Sequence, residues 1–327
     1  METRIYEGRH VLQWHITHRC NLRCAHCYQS DYAEQMTRDE LFDALDRYER
    51  FVKGRSLAAQ INLTGGEPLF HPDFFALARE IRRRGMALGV LTNGTLIDGA
   101  TADRLAALDP VFVQISLDGT RRIHDAVRGE GAFERALLGI DELKRRGVRV
   151  NVSFTAQSGN YRSLTPLALV CRAHRVDKLW FDRVVIDRDE DRSGLSLTTE
   201  QFKKLLRTAG RLRRLGLVSC DRALQFLCAP GAPVYHCGAG ENLLIFLADG
   251  GVMPCRRLPF TIGNVFDAEL EETVSGSELM RSLKEAPIPE GCRGCAHAAK
   301  CRGGARCVSY AQTHGLFGAD VNCPLIR

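Results

Sequence analysis

The sequence predicts an α/β chain: a partial (β/α)6 barrel followed by a small cysteine-rich domain. Three observations carry that expectation. From residue 11 to about 186, short apolar runs alternate with amphipathic stretches, the pattern of parallel strands joined by crossover helices. Six such repeats are too few to close an eight-stranded barrel. From residue 228 on the helix-length apolar patterns thin out and eight of the thirteen cysteines lie there, so metal is expected to hold that segment more than an apolar core does. The expected domains are 1–192 for the barrel, 193–227 for a bridging helix and linker, and 228–327 for the tail.

Taken in order, Val11, Leu12, Trp14 and Ile16 mark a first strand over 11–16, and polar residues follow it. Helix 38–52 opens with a Thr37 to Glu40 capping box and carries Leu41, Leu45, Tyr48 and Val52 on one face. Further strands are expected at 59–64, 86–92, 111–117, 148–155 and 178–185. Helix 132–146 presents Phe133, Leu137, Ile140 and Leu143 to the core and stops at Gly147. The charged stretch Asp187 to Arg192, ending in Ser193-Gly194, reads as an exposed connection. A bridging helix over 199–214 follows, with a Thr198 to Gln201 box. In the tail, Leu243 to Leu247, an Asp249-Gly250 turn and Val252 to Cys255 form a hairpin.

Composition narrows the function classes. A chain of 327 residues with 45% hydrophobic content buries a sizeable core. The net charge of +6 comes largely from clusters such as Arg82–Arg84, Lys144–Arg146 and Arg211–Arg214 at helix ends. There they complement helix dipoles and stay solvated, which argues against a nucleic-acid partner. No run approaches the roughly 18 apolar residues of a membrane span, and METRIYEGRHVLQW lacks the apolar stretch of a secretory signal. A cytoplasmic location is expected, where thiols stay reduced and thirteen of them are better explained as metal ligands than as disulfides.

Cys20, Cys24 and Cys27 fall on the loop after the first strand, at the carboxyl end that forms the catalytic edge of α/β barrels. Three thiols at this spacing can hold three corners of a cubane cluster and leave one iron open to bind and reduce a ligand. Zinc is the competing reading, with His18 or His26 as fourth ligand. Gly65-Gly66-Glu67-Pro68 closes the second strand; its glycines allow close backbone approach and its carboxylate suits an ammonium group. Asn93 ends the third strand, and Ser116 with Asp118 ends the fourth; such groups also simply cap and turn. Arg183, on the sixth strand, is either a carboxylate contact or a salt bridge.

The triplet together with the Gly-Gly-Glu-Pro segment resembles radical S-adenosylmethionine (SAM) enzymes. That resemblance implies a [4Fe-4S] cluster whose vacant iron is chelated by SAM, which one electron cleaves to a 5′-deoxyadenosyl radical. It implies SAM contacts at Gly65, Gly66, Glu67, Pro68, Asn93, Ser116, Asp118 and Arg183, with His26 in the place of an aromatic near the adenine. Residues 116–129 look like members that carry a SPASM domain, with His124, Asp125 and Arg128 read as fixing their own loop. The tail resembles that domain, since Cys237, Gly250 and Cys255 fit its spacing, as do Cys292, Cys295, Cys301 and Cys323. The resemblance assigns Cys292, Cys295, Cys301 and Cys323 to one auxiliary [4Fe-4S] cluster and Cys228, Cys237, Cys255 and Cys307 to another. One departure stands out: Cys307 lies two residues beyond the usual position, so either it ligates through a different loop path or that cluster lacks a ligand. A zinc ribbon is the competing reading of the tail.

Cys171 and Cys220 are left over. Cys171 is expected in the core, whereas Cys220, just before the tail, is either inert or a hydrogen donor to a substrate radical. Relatives of this architecture mostly modify peptides or proteins, so the leading expectation is maturation of a ribosomal peptide by epimerisation or cross-linking. Sulfatase-type maturation and tetrapyrrole or quinone cofactor synthesis are alternatives, as is a non-enzymatic electron-transfer protein. Expected partners are a flavodoxin or ferredoxin reductant and, because Cys20 lies so near the start, a separate peptide-recognition protein if the barrel or tail does not do that work.

Overall fold

The strand pattern folds as one continuous sheet. A computed structural model describes residues 9–28, 35–229, 231–232 and 234–326. Strands β1 (Arg9–His15), β2 (Ala58–Thr64), β3 (Ala87–Thr92), β4 (Phe112–Ser116), β5 (Val150–Ala156) and β6 (Lys178–Arg183) lie side by side in sequence order, each parallel to the next. Their edges differ from the expected ones by a residue or two.

The tail does not stand apart from this sheet. Strand β7 (Leu243–Phe246) pairs in parallel with β1, Val11 opposite Leu243 and Trp14 opposite Phe246. Strands β8 (Gly251–Met253) and β9 (Gly263–Asn264) then continue the sheet antiparallel. The hairpin is therefore where the sequence puts it, but its outer partner is the barrel. A bare β1 edge would leave a row of unpaired backbone groups, and β7 satisfies them.

Seven helices cover the outside: α1 (Arg38–Gly54), α2 (Phe74–Arg83), α3 (Gly99–Ala106), α4 (Arg121–Arg128), α5 (Ala132–Arg145), α6 (Leu164–Ala173) and α7 (Thr199–Arg214). Both anticipated capping boxes form, at Thr37 with Glu40 and at Thr198 with Gln201. Leu41, Leu45, Tyr48 and Val52 of α1 are buried, as are Phe133, Ile140 and Leu143 of α5, while Leu137 is half-buried. Cys171 on α6 is core, its thiol pushed up to about 12 by burial.

Alternation along the strands decides which face the helices take. Leu12 and Trp14, Ile61 and Leu63, Val113 and Ile115, and Val150 and Val152 join the apolar core. Gln13, Asn62, Gln114 and Asn151, on the opposite face, line one central cavity. Gly89 makes that polar interior possible, since a Cβ there would overlap the Asn62 side chain across the β2–β3 pair.

The tail adds α8 (Leu270–Gly276), α9 (Glu278–Lys284), α10 (Ala298–Cys301) and α11 (Arg306–Thr313); Leu270 and Val274 of α8 and Cys301 of α10 join the main core, while Leu283 of α9 and Val308 of α11 form part of a second, smaller apolar cluster. Its carboxyl end is tied to the barrel by Arg183. Both terminal nitrogens of Arg183 donate to the Asp320 carboxylate at 2.7 Å, one also donates to Asn322 Oδ1 at 3.1 Å, and the residue is 3% exposed. Of the two expectations for Arg183 the salt bridge is the one that forms: its guanidinium is spent on the tail rather than free for SAM, although the residue also borders the cavity. No helix among the described residues is long and apolar enough to cross a membrane.

Candidate active site

The cysteine loop begins where β1 ends, and the segment after β2 holds it down. Gly66 N–H donates to the Thr17 carbonyl at 2.7 Å and Glu67 N–H to the Arg19 carbonyl at 2.9 Å. A side chain at Gly65 would overlap the Thr17 carbonyl, and one at Gly66 the carbonyls of His18 and Arg19. The two glycines therefore let the second strand's end press against the chain that presents Cys20.

The Glu67 carboxylate does not reach into the cavity. It is fully buried and accepts from Leu69 N–H at 3.2 Å, Thr92 Oγ1 at 2.7 Å and Asn93 N–H at 2.8 Å, lashing the ends of β2 and β3 together. Burial pushes its carboxyl up to about 7 against those bonds. Glu67 and Pro68 are therefore corrected from cofactor contacts to supports, while Gly65 and Gly66 do line the cavity.

Backbone and side-chain donors surround the triplet. Leu22 N–H lies 3.4 Å from Cys20 Sγ, and the Asn93 amide nitrogen approaches the same sulfur at 3.9 Å while bonding Asn21 at 2.9 Å. Cys27 N–H closes a turn onto the Cys24 carbonyl at 3.0 Å. Arg128 Nη1 lies 3.7 Å from Cys24 Sγ, and its Nε donates to Asp118 Oδ2 at 2.6 Å. Burial pushes the Cys24 thiol up to about 11, with Arg128 working against it. Loading metal here must release protons.

Arg128 is thus a site residue that its sequence context hid, because the motif around it reads as a helix end. Asp118 is corrected in the other direction. Fully buried, it accepts from Arg128 and from Thr155 N–H at 2.9 Å, and it does not line the cavity. Burial alone would raise its carboxyl; Arg128 brings it below the ordinary value. His124 and Asp125 fix the loop as read: His124 Nδ1 accepts from Asp118 N–H, and Asp125 accepts from Gly131 and Phe133 N–H. His26, Asn93 and Ser116 do face the cavity. Burial holds the His26 ring down at about 4, so it is neutral, with Nε2 3.9 Å from Asp118. Arg192 was read as part of an exposed connection, yet it donates to the Cys27 carbonyl at 2.7 Å; only the chain's return past the loop, invisible in sequence, brings it there.

The tail thiols fall into three groups. Cys292, Cys295, Cys301 and Cys323 lie close enough for their charges to interact. So do Cys237, Cys255 and Cys307. Arg302, Gly303 and Gly304 all take left-handed backbone angles between Cys301 and Cys307, and that coiled path carries Cys307 back to its partners despite the two-residue displacement. Beside this trio Arg257 Nη1 donates to Asp182 Oδ2 at 2.8 Å.

Cys228 is the exception to the expected four. Its thiol is hydrogen-bonded to the free thiol of Cys220, which is driven well up by that contact and by burial, and its carbonyl lies against α7. A side chain at Gly210 of α7 would overlap the Cys228 carbonyl, so a glycine is what admits this packing. Among the described residues neither Cys220 nor Cys228 lines the cavity, which corrects the hydrogen-donor expectation for Cys220, and Cys228 faces Cys220 rather than the trio.

A single tetrahedral zinc with bonds of about 2.3 Å would hold its sulfurs about 3.8 Å apart. Among the described residues no three cysteine sulfurs come within 4.8 Å of one another, wider than a single zinc ion would hold them. The N-terminal trio and the Cys237, Cys255 and Cys307 trio line the same cavity of about 2100 Å3, larger than most small-molecule pockets.

Comparison with known proteins matches two stretches of the chain. Residues 14–156 match the Radical SAM superfamily and residues 237–296 the SPASM iron-sulfur cluster-binding domain. The chain is 31% identical to pre-heme d1 synthase of Dinoroseobacter shibae, over 96% of this chain and 86% of that protein. It is 30% identical to mycofactocin maturase MftC of Mycolicibacterium smegmatis, over 95% and 82%. Similar solved folds include anSMEcpe with bound SAM, at a TM-score of 0.79 and 21% identity over 97% of this chain and 94% of that one. SuiB of Streptococcus suis bound to precursor peptide SuiA gives 0.76 at 15% identity, over 97% and 76%.

Proposed function

This chain belongs to the radical SAM superfamily and carries a SPASM domain, and from that premise we propose that it abstracts hydrogen from a peptide held in the central cavity and delivers an oxidised product. The observation that supports this most is that two thiol trios, one on the barrel and one on the tail, line a single cavity. When bound, the clusters and SAM supply the hydrogen-abstracting radical and an acceptor for the electron that an oxidative outcome releases.

The chain's own residues do the rest. Cys20, Cys24 and Cys27 would hold the SAM-binding cluster, three side-chain ligands for four irons. Asn93, Ser116 and the Gly65-Gly66 backbone would offer polar groups to SAM, and the neutral His26 ring would lie near its adenine. Arg128, in a buried pair with Asp118, and Arg257, in a half-buried pair with Asp182, place positive charge beside the two trios and favour thiolate over thiol. Cys237, Cys255 and Cys307 hold one auxiliary cluster, and Cys292, Cys295, Cys301 and Cys323 hold the other. A flavodoxin or ferredoxin supplies the electron for SAM cleavage. With Cys220 turned away from the cavity, oxidation such as cross-linking is favoured over epimerisation.

The peptide reading draws on the solved folds of anSMEcpe and SuiB, whose structures include bound peptides. A second reading, hydrogen abstraction from a tetrapyrrole, draws on the pre-heme d1 synthase relative, which spans nearly the whole chain. Anaerobic incubation of the reconstituted protein with SAM, reductant and either candidate peptides or tetrapyrroles, read by mass spectrometry, tests both. A peptide that loses hydrogen in step with 5′-deoxyadenosine formation supports the proposal; modification confined to tetrapyrroles overturns it.

A further inference from the structure

Cations line the mouth of the cavity, and most are already matched. Arg128 is paired with Asp118, Arg257 with Asp182, and Arg192 with Glu190 and the Cys27 carbonyl. Arg256 is different. It follows Cys255 directly, lines the same cavity, and places its guanidinium carbon 4.7 Å from the centre of the Tyr28 ring. Tyr28 in turn follows Cys27, so this one side chain reaches from the tail trio to the barrel trio. Its Nε is buried without a hydrogen-bond partner, and among the described residues the guanidinium makes no hydrogen bond or ion pair. The ring of His15, which also feels the charge, is held neutral by burial and offers no counter-ion.

An unmatched guanidinium half-withdrawn from water is costly unless an anion joins it. The Tyr28 ring 4.7 Å from the guanidinium carbon restrains where the fork sits, and a planar fork is matched to a carboxylate, which accepts two parallel N–H bonds. We infer that Arg256 is the docking point for a carboxylate of the substrate, which holds the acid-bearing part of that molecule between the two trios. The inference rests on the proposed use of this cavity for substrate and adds the chemistry by which the substrate is selected. A peptide carboxylate and a tetrapyrrole side-chain acid share that chemistry.

Binding to the SAM-loaded, cluster-containing protein tests it without turnover. The probes are an acetylated hexapeptide with one glutamate, its glutamine counterpart, coproporphyrin III and its methyl ester. In whichever pair binds, the acid form is expected to bind about tenfold or more tightly than the neutral one. Arg256→Gln should erase that difference and Arg256→Lys should keep part of it, with iron content and cluster spectrum checked in each. An acid preference absent from the wild-type protein, or one that survives in Arg256→Gln, overturns the inference. So does weakened SAM affinity in Arg256→Gln with the acid preference intact, which would give this arginine to the SAM carboxylate. If Arg256→Gln does not fold, the wild-type comparison and Arg256→Lys still decide. A peptide that binds with this preference yet is never modified sinks the peptide reading and leaves the anchor standing, whereas a modified peptide indifferent to Arg256 does the reverse.

Discussion

Across the cavity from each other, two thiol trios solve one electrostatic problem by different routes. On the barrel, Cys20, Cys24 and Cys27 come from one short loop, clamped by the Gly65–Glu67 segment and by Arg128. On the tail, Cys237, Cys255 and Cys307 come from three separate stretches that meet only when α11 and the β7–β8 hairpin have docked. Both place an arginine–aspartate pair beside buried sulfur, Arg128 with Asp118 and Arg257 with Asp182. Similar charge therefore does not require similar connectivity. A local loop keeps its geometry because a large apolar core lies beneath it; a dispersed trio depends on a small cluster and on the metal itself.

The largest effect that tests this contrast is at Cys24. Cys24→Ala is expected to abolish SAM cleavage, a loss of several orders of magnitude, while tail iron stays in place; chromatography for 5′-deoxyadenosine and iron analysis read the two. Next, Cys307→Ala should strip one auxiliary cluster and leave SAM cleavage without substrate in place, seen as a missing signal in the electron paramagnetic resonance (EPR) of the reduced protein. Retention of that cluster would show that the displaced thiol is not its ligand.

A third change attacks the link between the regions. Asp320→Asn leaves the buried Arg183 charge without its counter-ion, and breaking such a pair costs about 3–5 kcal/mol. Thermal unfolding and proteolysis should show the tail loosening before the barrel. Unchanged melting would mean that the pair does not hold the regions together. Fourth, Glu67→Gln replaces an acceptor of three bonds with a group that faces a donor, a loss of about 1–3 kcal/mol. Its melting temperature should fall, and loading of the barrel cluster should fall with it if the β2–β3 lashing positions Cys20. The smallest effect belongs to Cys228→Ala, which is expected to retain full iron content because that thiol faces Cys220 rather than the trio. Loss of a cluster there would restore the four-thiol assignment.

Local features were legible in the sequence and long-range ones were not. The six barrel strands, both capping boxes and the cysteine loop follow from periodicity and short spacing, which a linear reading samples directly. Strand β7 read correctly as half of a hairpin, but its pairing with β1 depends on which edge the barrel leaves open. Arg183 carried the right chemistry for a carboxylate and found it in Asp320, at the far end of the chain. Glu67 and Asp118 were right as carboxylates at strand ends, yet burial and nearby donors turned both inward. Cys228 fitted a spacing pattern, and in the fold its thiol meets Cys220, with Gly210 on α7 leaving room for its carbonyl.

The account depends above all on one cluster iron left open by Cys20, Cys24 and Cys27. Electron-nuclear double resonance on the reduced protein, with SAM labelled with 15N at its amino group, tests that directly. A nitrogen coupling that vanishes in Cys24→Ala is the predicted result, and a fully loaded protein that shows no coupling would contradict it.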